Sequence, residues 1–198
     1  MKNLTGSISL IAVFVFGLAV SPTFAGNTNE GGYTPDMRAK IEETKQELKK
    51  FTDERALVEK NLKTFDELDF VVFSNQEWTR FHESHANDIK VYWPDGHYTT
   101  GLEKHIEDLK AMFVYAPDTN IKVHPVKIGS GDYTSVIGVM SGTFSKPMPI
   151  GDGKFIQPTG KKFSITMCTV GHWKDGVMIE EWLFWDNATY MKQIGIGN

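Results

Sequence analysis

The sequence predicts an α+β fold in which helices pack on one face of an antiparallel sheet. Three observations carry that prediction. Up to about residue 113, apolar residues recur at helical spacing, as in Leu57, Leu62, Phe65, Leu68 and Val72. Beyond Ala116-Pro117-Asp118 the pattern changes to alternation over long runs, 133–144, 162–173 and 177–185, punctuated by Gly-containing turns. The composition, 198 residues with 40% hydrophobic and 23% charged, suits one globular domain and excludes wholesale disorder.

Taken in order, Met1-Lys2, the apolar run 10–20 and Thr23-Phe24-Ala25 form the three-part secretory pattern. Residues 1–25 are therefore expected to be a removable signal peptide, and the protein to be exported, periplasmic or secreted. Residues 26–55 read as a linker followed by an N-terminal amphipathic helix, started at Thr34-Pro35-Asp36. Its stripe of Met37, Ile41, Leu48 and Phe51 is thin, and the rest of it is densely charged. A second helix is expected over 56–72 and a short one over 77–85, with Trp78 and Phe81 on one side. The alternating run 88–93 reads as a strand ended by Pro94-Asp95-Gly96. Gly101 opens a helix that places Leu102, Ile106, Leu109, Met112 and Phe113 for burial. Strands follow at 121–128 and 133–144, joined through Gly-Ser-Gly-Asp. The Pro/Gly-rich stretch 146–160 is either a flap or a plain hairpin extension. Strands 162–173 and 177–185 meet at Lys174-Asp175-Gly176, and 186–195 forms a short helical cap. The domain proper is assigned to 56–198.

Charge and cysteine content narrow the function. A net charge of −4 without basic runs does not suit nucleic-acid binding. A single cysteine, Cys168, excludes an intramolecular disulfide or a Cys-based metal cluster. No second stretch is apolar enough for a membrane span once the signal is removed. His82 and His85 are three apart on a helix, with Asp88 nearby, but no distant matching ligand pattern is visible, so no metal or other cofactor is expected.

The phrases HANDIKVYWPDG, MFVYAPD, WKDGVMIEEW and WDNATYMKQIG resemble, in order and spacing, the SnoaL-like branch of the nuclear-transport-factor-2-like superfamily. The resemblance covers roughly residues 56–195. It implies a conical, strongly curved antiparallel sheet wrapped around helices, a cystatin-like α+β barrel, here with an extra N-terminal helix. It further implies a pocket inside the cone and a homodimer through the sheet. The family's polyketide cyclases use an Asp on the last strand and a His on the strand before it. Aligned on Asp175-Gly176 and Gln193-Ile194-Gly195, those positions are Leu183 and Thr169. The ketosteroid isomerase base, an Asp before Pro-x-Gly, corresponds to Trp93. Neither signature acid is present, and fold alone does not deliver chemistry.

The residues themselves offer a pocket face. Phe163, Ile165, Met167, Thr169 and Trp173 alternate with more polar neighbours and are expected inward. A two-residue turn at Asp175-Gly176 sets Trp182, Phe184 and Asp186 opposite them. A three-residue turn with a Gly176 bulge sets Glu181, Leu183 and Trp185 there, and the family register favours the bulge. On that reading Trp78, Trp93, Met167, Thr169, Leu183 and Trp185 line an apolar cavity, with Asp95 at its mouth. Glu181 inside it is expected to have a raised pKa. The candidate acid/base groups are His97, Glu181 and Asp186, the last equally suited to capping the terminal helix. The expected function is binding of a small, mostly apolar molecule, without an assignable reaction. The rivals are an isomerase, dehydratase or hydrolase using Glu181 or Asp186 with His97, and a non-catalytic dimeric interaction module.

Overall fold

A computed structural model describes residues 32–197. The expected signal peptide, 1–25, and most of the expected linker lie outside the described residues. Two units are distinguished, Met1–Lys45 and Gln46–Asn198. In the first, the Thr34 hydroxyl accepts a hydrogen bond from the Met37 amide at 3.2 Å and starts helix α1, Pro35–Glu67. One helix stands where the sequence reading has two, because neither Gly nor Pro interrupts 36–67 and no residue there opposes continuation. Among the described residues no helix is long and apolar enough to cross a membrane.

In the second unit, α1 buries only Asn61 and Phe65 and keeps Leu48 and Phe51 exposed. It runs directly into a π-helical segment, Leu68–Phe73, which buries Leu68, Asp69, Val72 and Phe73. The Ser74 hydroxyl ends this segment by bonding back to the Asp69 carbonyl at 2.6 Å while accepting from the Ile121 amide at 2.9 Å. A 3₁₀ turn, Trp78–Glu83, leads into β1, His85–Tyr92, and β2, Tyr98–Thr100. Helix α2, Leu102–Tyr115, buries Leu102, His105 and Phe113. The expected strand 121–128 is two pieces, β3 (Asn120–Ile121) and β4 (Val126–Ser130), with Pro125, which has no amide to donate, between them. Strand β5 is Tyr133–Thr143, and the 146–160 stretch folds as a small hairpin of β6 (Met148–Pro149) and β7 (Phe155–Ile156). Strands β8 (Lys162–Lys174) and β9 (Val177–Trp185) and helix α3 (Asn187–Ile194) complete the chain.

The main sheet has the order β2-β1-β9-β8-β5-β3, with β4 also on β5. It is mixed rather than antiparallel as expected, because β1 pairs parallel to β9. Helix α2 and seven further strands separate the two in sequence, ample length for the crossover that a parallel pair requires. On β8 the alternation holds: Phe163, Ile165, Met167, Thr169 and Trp173 are buried. They share the core with Phe65, Phe81 and Phe113 from the helical segments and Ile121 from β3, each fully buried apolar side chain contributing roughly 1.5–3 kcal/mol.

The β8–β9 register decides the pocket face. Asp175 (φ 53°) and Gly176 (φ 89°) make a two-residue left-handed turn, so Lys174 pairs with Val177 and Trp173 with Met178. Ile179 is then skipped, and His172 pairs with Glu180. A tight turn and a bulge therefore occur together, the bulge lying three residues after Gly176 rather than at it. From there Gly171 faces Glu181, Thr169 faces Leu183 and Met167 faces Trp185. Without that one extra residue the inward set would be Trp182 and Phe184.

Candidate functional site

Between the buried face of β8 and β9 and the helices lies a cavity of about 90 Å³. Roughly 10–15 Å³ in this measure holds one water, so the space admits a cluster of waters or part of an organic molecule. Trp93 and Trp185, edge to face at 6.3 Å, and Leu183, Met112, Met140 and Met167 make most of it apolar. Its polar members are His85, His105, Glu181, Thr169, Asp69 and Asp108.

Three of these converge. Glu181, from the bulged stretch of β9, is 4% exposed. Its Oε2 lies 3.2 Å from His105 Nε2 on α2 and 3.8 Å from His85 Nε2 at the start of β1. His85 and His105 are each 2% exposed. Glu181 Oε2 and His85 Nε2 nonetheless make no hydrogen bond, nor does His105 Nδ1. On its other side, His85 Nδ1 meets the Ser84 hydroxyl at 2.8 Å and the Phe81 carbonyl at 3.3 Å. Burial pushes the His105 imidazole down to about 4, so it is neutral at pH 7. Burial also pushes the Glu181 carboxyl up, but the attraction of His105 and His85 in their protonated forms outweighs it and holds it below the ordinary value. The raised value expected from the sequence is thus reversed, because that expectation counted the apolar walls and not the two imidazoles.

A second imidazole–carboxylate cluster lies in the same unit. His124 sits between Asp66, 2.8 Å from Nδ1, and Asp69, 2.8 Å from Nε2, and its side chain is 1% exposed. Lys127 also reaches Asp66 at 2.5 Å. Burial lowers the His124 pKa, but the two carboxylates outweigh it and raise it. Burial raises Asp69. Burial likewise raises Asp66, but Lys127 and His124 outweigh it and hold Asp66 low. Both ring nitrogens face an acceptor, which makes this a clamped imidazolium.

Of the residues singled out in the sequence, Trp93, Met167, Thr169, Glu181, Leu183 and Trp185 line the cavity. Trp78, Asp95, His97 and Asp186 do not. Trp78 stacks on Phe81 at 5.5 Å and meets Phe113 edge-on at 5.3 Å, packing against the core from outside the cavity. Asp95 and His97 pair with each other on an exposed turn, where the His97 ring stacks on Trp93 at 5.9 Å. Asp186 is the N-cap of α3, accepting from the Ala188 amide at 2.9 Å and the Thr189 amide at 3.1 Å. Sequence reasoning did not find His105, although three residues after Leu102 and four before Leu109 it sits on the buried stripe of its helix. It also paired His85 with His82, whereas the turn sends His82 outward onto the Thr79 carbonyl.

An α+β sheet packed on helices over a pocket whose acid comes from the last strand defines a protein of the nuclear-transport-factor-2 and ketosteroid isomerase-like fold. The family model for the SnoaL-like polyketide cyclases matches residues 68–194, and the chain belongs to that family. Among solved structures, a candidate SnoaL-like polyketide cyclase from Jannaschia sp. CCS1 superposes with a TM-score of 0.61 at 20% identity, over 70% of this chain and 94% of that one. IdmH of Streptomyces antibioticus, described as a candidate polyketide cyclase, gives 0.58 at 23% identity over 68% and 98%. A protein with a ketosteroid isomerase-like fold from Catenulispora acidiphila gives 0.52 at 13% over 63% and 87%. No curated protein sequence matches this chain.

Proposed function

We propose that this SnoaL-like protein binds a small, mostly apolar molecule in the cavity between β8, β9 and the helices, with the molecule's polar end turned toward Glu181 and His105. One observation carries the reading: an apolar cavity ends at a buried carboxylate whose inner oxygen has no hydrogen-bond partner. Few polar groups in an apolar concavity is the ordinary pattern of a small-molecule site. The reading includes a sheet curled into a cone around that cavity, as the family resemblance implies. It includes export, supported by the secretory pattern of 1–25, and a homodimer through the sheet. The dimer is supported by Phe184, exposed on β9, and by Trp182, against which Tyr92 stacks at 5.0 Å.

The second reading is an enzyme, favoured by the 3.2 Å approach of His105 to Glu181. A carboxylate held ionised beside a neutral imidazole can accept a proton from carbon next to a carbonyl, as the polyketide cyclases of this family require. In this chain the acid stands at Glu181, two residues before the Leu183 that replaces the family's Asp.

Native mass spectrometry of the full-length protein, followed by denaturing extraction, tests the binding reading. The expected result is a co-purifying apolar compound, lost in Leu183→Phe, which narrows the cavity with apolar volume while the far-ultraviolet circular dichroism stays unchanged. A wild-type protein that retains no compound, and whose melting temperature no aromatic or alicyclic ketone shifts, overturns it.

A further inference from the structure

An apolar ligand does not account for the geometry at the cavity's polar end. His85 Nε2, His105 Nε2 and Glu181 Oε2 come from three separate elements, β1, α2 and β9, and lie 3.2 and 3.8 Å apart across Glu181. One donor atom from each of the three residues lies within 4.8 Å of the others. Two imidazoles and one carboxylate are a donor set that first-row transition ions favour. With bonds of about 2.0–2.2 Å to such an ion, neighbouring ligand atoms stand about 3.0–3.5 Å apart. The His105–Glu181 distance already lies in this range, and the His85–Glu181 distance needs to shorten by a few tenths of an ångström at the least.

Two further features fit. Hydrogen bonding does not use the donor atoms: Glu181 Oε2 and His85 Nε2 are buried without partners, an arrangement that is costly for a carboxylate unless a cation completes it. The far side of His85 is tied down as well. The Ser84 hydroxyl donates to the Phe81 carbonyl at 3.2 Å, which leaves His85 Nδ1–H to donate to Ser84 Oγ. That tautomer aims a bare Nε2 lone pair at Glu181, as metal-ligating histidines require.

We propose that His85, His105 and Glu181 form a binding site for a divalent first-row transition-metal ion at the inner end of the cavity. The proposal rests on reading this cavity as the functional site. Three protein ligands facing an open cavity leave a coordination position for water or a ligand oxygen, the pattern of catalytic rather than structural centres. An ion there would polarise a carbonyl oxygen in the cavity, supplying by charge what Leu183 and Thr169 cannot supply as acid and base.

The test uses untagged full-length protein, stripped with chelator and titrated with Co²⁺ and then Zn²⁺. The expected result is one Co²⁺ per chain with a visible d–d spectrum, bleached by stoichiometric Zn²⁺. Glu181→Gln and His105→Ala lose the spectrum, Ser84→Ala weakens binding by about 10–100-fold, and His97→Ala, on the exposed turn, leaves it intact. Wild-type protein that takes up no Co²⁺, or a spectrum that survives in folded Glu181→Gln and His105→Ala, overturns the proposal. Should those variants fail to fold, the wild-type titration and Ser84→Ala decide it alone: a spectrum that Ser84→Ala leaves unweakened overturns it. The pocket reading fails separately. Stripped protein that keeps an organic compound but takes no metal removes the ion and leaves the pocket, whereas metal uptake without any retained compound supports the ion and removes the apolar ligand.

Discussion

Two imidazole–carboxylate clusters share one core, and they are built in opposite ways. Around His124 the imidazole is closed on both sides: both ring nitrogens meet a carboxylate at 2.8 Å, and Lys127 covers the outer acid. Around Glu181 the polar atoms face one another without closing, and the space they leave opens into the cavity. In both, buried imidazoles face carboxylates. What differs is satisfaction, and satisfaction separates a structural cross-link from a site awaiting a ligand. The His124 clamp ties the end of α1 and its π-helical segment to the chain ahead of β4. The Glu181 cluster ties nothing together that packing does not already hold.

The largest expected effect comes from breaking the closed cluster. In His124→Ala, Asp69 stays buried with no partner, and removing one member of a buried pair costs about 3–5 kcal/mol. Urea unfolding monitored by tryptophan fluorescence measures it. A loss below about 1 kcal/mol would mean that the clamp is no cross-link and that the contrast between the clusters is superficial.

The two clusters should also titrate with opposite signs. His105, facing Glu181, His85 and Asp108, is lowered to about 4 by burial, so the unfolded chain takes a proton between pH 6.5 and 4 that the folded chain refuses. Stability therefore falls as pH drops through that window, by about 3 kcal/mol at most. His105→Gln should flatten this acid limb. His124, facing Asp66, Asp69 and Lys127, is raised, so its contribution is fully present below pH 6.5 and is lost as pH rises through its folded value. Unfolding free energies of wild type and both single variants across pH 4–9 check the two slopes, and slopes of the same sign would dissolve the distinction.

Glu181→Gln sharpens the comparison from the other side. It removes a buried charge without breaking any hydrogen bond of Oε2, so unfolding free energy should change by no more than about 1 kcal/mol while ligand retention disappears. A destabilisation as large as that of His124→Ala would make Glu181 a structural member of the core.

The helices and strands were legible because hydrophobic periodicity reports local geometry, and the β8 inward face followed from alternation alone. The parallel pairing of β1 with β9 was not, since alternation says which face a residue takes and never which strand lies beside it. Glu181 was placed inward by the right register for an incomplete reason. Asp175-Gly176 carries the chemistry for a tight turn, and nothing in Met178 or Ile179 announces a bulge three residues after Gly176. His85 and His105 escaped because their cluster joins positions 85, 105 and 181, and no spacing rule connects side chains that meet only through tertiary packing. A histidine on an otherwise apolar helix stripe was the signal available, and it was His105 that carried it.

The smallest effect belongs to Asp186, five residues beyond Glu181 in sequence and its opposite in environment. The Asp186 carboxylate is exposed and fully engaged: Oδ1 takes the Ala188 and Thr189 amides, and Oδ2 takes the Thr189 hydroxyl at 2.5 Å. Those bonds hold its pKa low, so its contribution is present above pH 3.8 and is lost as pH falls through the lowered value. Asp186→Ala should lower Tm by about 2–4 °C at pH 7, the size of a lost helix cap. The deficit should shrink in acid, and the retained compound should be unaffected. Asp186→Asn keeps an acceptor for the amides and should recover most of the loss. If Asp186→Ala instead abolished ligand retention at unchanged Tm, the exposed carboxylate would be the functional one, and a satisfied hydrogen-bond shell would no longer distinguish structure from site in this fold.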